Sequence, residues 1–300
     1  MVWTELLSTL WTHLLIALRP MWKWLLHKVS GKCELLRITY EEQPGVKQTK
    51  RIEESLKCSK SALLKEISTG DKYNVDEAVE KVMGEKKIVR EVHAGFEGHF
   101  RRCLLYIRSY NQLTQQVESL RRSKFSVDDP DHEQKLLKLW RLLMPQTQLT
   151  ARVSHQWGDI GFQGTDPQTD FRGMGILGLH QLVYFAEKYN NEARNVLLKA
   201  NNPKNGFSYA IVSINITDLQ HRLMMKRKLR THFYNLSKTS LTVDDYHEVH
   251  CYLMSEFTHF WFSENPADVM EFNRIRDKFK RKVILLLKDP QTQLVANFQR

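Results

Sequence analysis

Cysteine is scarce in this 300-residue chain, and Cys33, Cys58, Cys103 and Cys251 lie far apart with no C-x-x-C pair. That excludes a disulfide scaffold and fits buried free thiols in a reducing compartment. No G-x-x-x-x-G-K-[ST] occurs, so the chain has no phosphate-cradling loop of its own. No internal repeat is visible. A secretory signal of recognisable form is also missing, so Asn215-Ile-Thr217 and Asn235-Leu-Ser237 read as chance matches to the glycosylation sequon. Acids are the minority: 34 against 45 Lys and Arg, for a formal charge of +11. An acidic partner follows (nucleic acid, anionic lipid or an acidic protein face), and charge alone does not choose among them. Apolar residues are plentiful at 42%, with seven tryptophans, which excludes a mostly disordered chain. The length suffices for one large domain or two small ones with a sizeable core.

Four of the seven tryptophans fall in the first segment, MVWTELLSTLWTHLLIALRPMWKWLLHKVSGKCELL. Val2 to Leu18 is mostly apolar and about 17 residues long, the lower limit for a spanning helix, and Pro20 kinks or stops it. Tryptophans beside Arg19, Lys23 and Lys28 suit a water–lipid boundary. Docking on the chain's own domain, or a targeting signal, are the other uses open to it. Beyond Tyr40 to Lys50 the helical period dominates. Apolar faces are set by Ile52, Leu56, Leu64 and Ile67; by Val75, Ala78, Val79, Val82 and Met83; and by Phe96, Phe100, Leu104, Ile107, Leu113 and Val117. The polar run Ser123 to Glu133, broken by Pro130, reads as a linker or domain entrance. A helix through Leu136, Leu139, Trp140 and Leu143 should end at Pro145. Thr242-Val-Asp-Asp245 has capping-box spacing, and a further helix is expected from Asn265-Pro266 to Leu287. SYAIVSINIT, Ser208 to Thr217, is β-branched enough for a strand, yet Ile211, Ile214 and Leu219 share a helical face, so helix is the reading. The fold class is all-α: a multi-helix domain with a helical N-terminal region. The expected division is 1–30, a Trp-rich N-terminal helix; 31–130, a helical region; and 131–292, the main domain.

Within GFQGTDPQTDFRGMGILGLHQLVYF, Gly173, Gly175 and Gly178 spell G-x-G-x-x-G. A dinucleotide turn needs a buried strand before the first glycine and an acid about twenty residues on. Here polar turn material precedes it and no such acid follows, so the match is a decoy. Glycines at 175 and 178 would instead let a neighbouring backbone approach a helix whose core contacts are Met174, Leu177, Leu182 and Phe185. The preceding segment reads as an ordered loop. Phe162 and Phe171 would anchor it, Gly161 and Gly164 permit turns, Asp166-Pro167 sets another, and Asp170 caps the following helix. That leaves Arg172 on the rim of a braced loop beside Gly173. Two uses are open to it. It can tie the loop down through Asp166 or Asp170, the commoner fate of an arginine. Alternatively it can enter a GTPase in trans and neutralise charge building between the β- and γ-phosphates, worth about 10³–10⁵ in rate.

The run WGDIGFQGTDPQTDFRGMGILGLHQLVYF, Trp157 to Phe185, resembles the signature of the ELMO domain as found in the small ELMO-domain-containing proteins. HEQKLLKLWRLLMP, GFSYAIVSINITDL, CYLMSEFTHFWFSENPADVMEFNRIRDKF and the amino-terminal WKWLLHKVSGKCEL resemble it too, nearly end to end. The resemblance implies an all-helical ELMO domain that activates GTP hydrolysis by Arf and Arf-like small GTPases, with Arg172 as the catalytic arginine. Such a protein is an activator rather than an enzyme. It has no cofactor of its own, since GTP and Mg²⁺ are held by the partner. The large ELMO scaffold proteins lack this arginine, whereas this chain keeps it. Trp157, Ile160, Gly161, Phe162, Gln163, Gly164, Asp166, Asp170, Phe171 and Gly173 would support the loop or touch the partner. The family also implies an intracellular, cytoplasmic chain with membrane or organelle association (ER, mitochondria or lipid droplet), in line with an anionic membrane surface met by residues 1–30. A non-catalytic adaptor for GTP-loaded GTPases, or a membrane tether, is the alternative function.

Other constellations are weaker. His247, His250 and Cys251 sit at i, i+3 and i+4 but lack a fourth ligand, so no metal is expected. Asp166, Asp170 and His180 are better explained as turn, cap and packing residues than as an acid–base set. The basic runs Met224 to Arg230 and Lys278 to Lys282 read as solvated helix faces. No nucleic-acid motif accompanies them, so nucleic acid is not an expected partner.

Overall fold

The computed structural model describes residue 18 and residues 21–298. Most of the expected apolar segment Val2 to Leu18 therefore lies outside the described residues. Among the described residues the regular structure is helical, with short 3₁₀ turns and no β-strand. The chain divides into two compact units, residues 1–108 and 109–300.

The first unit holds residues 21–30, which are helical, and helices α1 (Glu34–Glu41), α2 (Val46–Lys57), α3 (Ala62–Thr69) and α4 (Val75–Lys86). The division between units falls within α5 (Phe96–Arg122). Local chemistry sets the starts. Ser61 caps α3 by accepting from Leu64 N, and Asn74 caps α4 by accepting from Asp76 N and Glu77 N. The period-3.6 residues Ile52, Leu56, Leu64, Val79, Val82, Phe96, Phe100 and Leu104 are all buried. Cys103 is buried as expected, but Cys58 is exposed and Cys33 only half-buried.

The second unit contains α6 (Pro130–Leu143), α7 (Gly175–Lys188), α8 (Asn190–Ala200), α9 (Tyr209–Met225), α10 (Arg230–Asn235), α11 (Val243–Ser263) and α12 (Phe272–Leu286). Helix α7 is at its centre and packs against α6, α8, α9 and α11. Its sequence is apolar nearly all round, which suits an interior helix rather than an amphipathic surface one. The segment Ser208 to Thr217 is helical from Tyr209, with Ser208 as the extended N-cap of α9, because Ala210, Ile214, Thr217 and Leu219 face a helical core despite their β-branched neighbours. Helix α11 opens with the expected capping box: Thr242 Oγ1 accepts from Asp245 N, while Asp245 Oδ2 accepts from Thr242 N at 2.9 Å. The expectation at Asn265-Pro266 is corrected. Asn265 takes a left-handed backbone, φ +47°, and Asp268 accepts from Met270 N to start a 3₁₀ turn, Val269–Glu271. The regular helix therefore begins only at Phe272.

The core of the second unit also buries polar groups. Gln181 donates to Gln220 at 2.9 Å, and Gln220 donates to Tyr246 O at 2.7 Å. His250 Nε2 is paired with Ser213 Oγ at 3.0 Å. Burial pushes the histidines down, His180 and His232 to about 4, His247 and His250 to about 3. These rings are neutral, because a charged imidazolium without water is costly.

Candidate functional site: a braced turn presenting Arg172

Between α6 and α7 the chain makes two 3₁₀ turns, His155–Ile160 and Pro167–Arg172. No regular helix could hold them, so side chains do. Trp157 is fully buried, and its indole N–H donates to Arg152 O at 2.8 Å. It meets Trp140 edge-on at 5.5 Å and Phe162 at 5.9 Å. Phe162 meets Phe171 at 5.6 Å, and Phe171 stacks on Phe125 at 5.5 Å. This row of rings runs under the whole segment, each pair adding about 0.5–1.5 kcal/mol beyond area burial. Ile160 is buried beside it.

Gly161 has φ +82°, and a Cβ there would lie 2.2 Å from Tyr209 N. Its carbonyl accepts from Ile211 N at 3.2 Å, which pins the first turn to the start of α9. Gln163 and Gly164 are exposed, and Gly164 also has a positive φ, +69°. Asp166 caps the second turn by accepting from Gln168 N at 3.0 Å. Asp170 does not cap α7. That helix starts five residues later, and Asp170 Oδ2 instead accepts from Gln163 N at 2.8 Å, tying the two turns together. Burial raises its carboxyl above the usual range, while the Gln163 amide and the Arg172 charge pull the other way.

Arg172 ends the second turn and is exposed. Its Nε donates to Thr169 O at 2.8 Å, which orients the guanidinium and leaves both terminal nitrogens outside that bond. It makes no ion pair among the described residues, because the acids that could hold it are engaged elsewhere. Asp166 accepts from Arg152 Nη1 at 3.0 Å, and Arg152 Nε donates to Glu133 at 2.6 Å. The loop-tying duty open to Arg172 is thus carried by Arg152, half-buried with its guanidinium over the Phe125 ring at 5.9 Å. Arg152 and Glu133 had no signal in the sequence. They are 19 residues apart across a helix end and an irregular stretch, where no periodicity links them.

The glycines differ sharply in their surroundings. Gly173 is exposed and a Cβ on it would meet nothing within 4 Å. Gly175 has φ +55°, and a Cβ there would sit 2.3 Å from Ser123 O and 2.4 Å from Arg121 O. Ile176 N, the amide that a phosphate would need at this helix start, donates to Ser123 O at 2.8 Å. With no strand before it among the described residues, the G-x-G-x-x-G is a packing device. Gly178 was expected to admit a backbone, but it faces the Phe171 and Ile214 side chains instead.

His180 does not join Asp166 or Asp170; the charges nearest it are Lys135, Asp131 and His132. Among the described residues no group of three or more His, Cys, Asp or Glu is placed to hold a metal ion. The run Met224 to Arg230 is not simply a solvated face, since Arg227 donates to Asn111 at 3.0 Å and lies over Tyr110 at 5.1 Å. Lys278 pairs with Glu264 at 2.6 Å and stays exposed.

An all-helical chain with such a turn is a member of a recognisable class. Residues 115–276 match the model of the ELMO/CED-12 family. The chain is 47% identical to ELMO domain-containing protein 2 of Bos taurus over 272 residues, covering 91% of this chain and 92% of that one. It is 42% identical to human ELMO domain-containing protein 1 over 301 residues, covering 92% and 90%. Identity to ELMO domain-containing protein B of Dictyostelium discoideum is 32% over 273 residues, covering 89% and 94%. No solved structure matches. The chain belongs to the ELMO/CED-12 family.

Proposed function

We propose that the protein is a GTPase-activating protein for Arf and Arf-like small GTPases, with Arg172 supplied in trans. The observation that carries this reading is an exposed arginine without an ion pair, oriented through its Nε on a turn braced from beneath. The partner brings GTP and Mg²⁺. The guanidinium then meets the charge developing between the β- and γ-phosphates, an effect of about 10³–10⁵ in rate, or roughly 4–7 kcal/mol of barrier. Preorientation matters because an arginine tethered at Nε has less freedom to lose on entering the phosphate site. Lysine would not replace it, since the planar fork makes two parallel bonds to phosphate oxygens.

Single-turnover GTP hydrolysis on a panel of Arf-like GTPases tests this with Arg172→Ala and Arg172→Lys. Both variants should lose the acceleration and keep the parent's melting temperature. Nucleotide-dependent binding with no acceleration by the parent protein would favour a non-catalytic adaptor instead.

The membrane is the proposed place of action, at an organelle surface facing the cytoplasm. No helix among the described residues is long and apolar enough to cross a membrane. Met21, Trp22, Trp24, Leu25, Leu26 and Val29 are nevertheless exposed near Lys23 and Lys28, a composition suited to the lipid interface. Deleting residues 1–30 should abolish sedimentation with anionic vesicles.

A further inference from the structure

The brace beneath Arg172 contains a charge that the proposed chemistry does not use. Arg152 is half-buried between Glu133, on α6, and Asp166, the cap of the turn that ends in Arg172. Its two bonds leave from different nitrogens, Nε to Glu133 and Nη1 to Asp166, so one rigid plane spans helix and turn. Its backbone carbonyl takes the Trp157 indole N–H at 2.8 Å. Close by, Ser154 N donates to Thr165 O at 2.9 Å. The ring beneath it, Phe125, is the one on which Phe171, the neighbour of Arg172, is stacked. Arg152 thus links α6, through Glu133, to the turn on which Arg172 sits, through Asp166.

We infer that Arg152 is a positioning residue for Arg172. It neutralises Asp166 and sets the second turn relative to α6, which keeps the nearby acid from capturing Arg172 and fixes where the exposed guanidinium can reach. This rests on the function proposed above for Arg172. A charged side chain that can form two ion pairs has a choice of partners, and Asp166 is three residues before the first atom that holds Arg172, Thr169 O. With Arg152 in place, Asp166 already has both a cation and the Gln168 N–H. Without it, Asp166 becomes a part-buried anion that has lost its recorded cation, and Arg172 is the one cation in the turn that Asp166 caps. Capture would draw the guanidinium back along the turn. Displacement of a catalytic group by about 1 Å costs roughly 100-fold.

The test uses the full chain and a GTP-loaded Arf-like GTPase that it accelerates. Parent, Arg152→Met, Asp166→Asn, Arg172→Ala and the double variant Arg152→Met/Arg172→Ala are compared in single-turnover hydrolysis. Arg152→Met should lower the maximal rate by roughly 100-fold while leaving the half-saturating protein concentration within about twofold. The double variant should be no slower than Arg172→Ala alone, because a positioning residue has nothing left to position. Asp166→Asn keeps an oxygen for Gln168 N but removes the charge that would capture Arg172. Combined with Arg152→Met it should restore at least tenfold of the lost rate, an outcome that general loosening of the fold would not give. It is read in place of Arg152→Met alone if that variant melts below the assay temperature. Parent-like rates for Arg152→Met, or a double variant slower than Arg172→Ala, would overturn the positioning role while leaving Arg172 as the catalytic arginine. A parent-like rate for Arg172→Ala would overturn both.

Discussion

Gly175 gives the sharpest physical prediction, because the chain offers its own control two residues away. Replacing it by alanine puts a Cβ 2.3 Å from Ser123 O and 2.4 Å from Arg121 O, backbone atoms at the end of α5 that cannot swing aside. Both would have to retreat by about 1 Å to reach ordinary contact. The φ of +55° adds a second cost, since a left-handed backbone disfavours any Cβ by about 1–2 kcal/mol. Retreat also stretches the Ile176 N to Ser123 O bond, now 2.8 Å, and leaving the amide of the buried Ile176 unpaired costs about 1–3 kcal/mol. Together these come to about 2–5 kcal/mol, a large share of the roughly 5–15 kcal/mol of an ordinary domain. For a unit of the size of residues 109–300 this corresponds to a fall of roughly 4–20 °C in Tm. Gly173→Ala differs in both respects: its φ is −82° and nothing lies within 4 Å of the added methyl. It should stay within about 0.5 kcal/mol of the parent or gain slightly from a stiffer unfolded chain. Urea unfolding followed by tryptophan fluorescence measures both. Equal midpoints for the two variants would refute the packing role assigned to Gly175.

Acidification should weaken the second unit through three buried histidines and the half-buried His180. His180, His232, His247 and His250 have folded-state values of about 4, 4, 3 and 3, below the ordinary 6.5, so the unfolded chain binds the extra protons. Stability is then full above about pH 6.5 and is lost progressively as pH falls below it, each ring contributing on the order of 2 kcal/mol between pH 7 and 5. A urea midpoint that does not move between pH 7 and 5 would contradict their neutrality. Thr242→Ala removes one half of the capping box of α11 and should cost about 1–2 kcal/mol, whereas Thr242→Ser should cost only a few tenths. Thermal melts of the two variants check this.

Much of the helical architecture was legible because it is decided within a few residues. The capping box at Thr242, the stop at Leu143 before Pro145 and the buried stripe of α4 each depend on neighbours three or four positions away. The β-branched start of α9 was resolved by the same period. The misplaced start of α12 shows the limit. Pro266 satisfies the local rule for a first helical residue, but Asn265 in a left-handed conformation and the Asp268 cap send the chain through a separate turn first. Asp170 misled in a similar way. Its residue type suits a helix cap, yet the amide that it serves belongs to Gln163 in the other turn.

The sequence by itself determined an all-helical chain, membership of the ELMO/CED-12 family and the presence of one arginine in its signature. It did so because hydrophobic period and an unbroken motif are one-dimensional quantities. Only the tertiary structure decided which arginine holds the loop and which is left at the surface, and which glycine is indispensable. Ion pairs and backbone clashes depend on distances through space. In an irregular segment, Arg152 meets an acid 19 residues back and Gly175 meets Ser123 and Arg121, separations that no local pattern encodes.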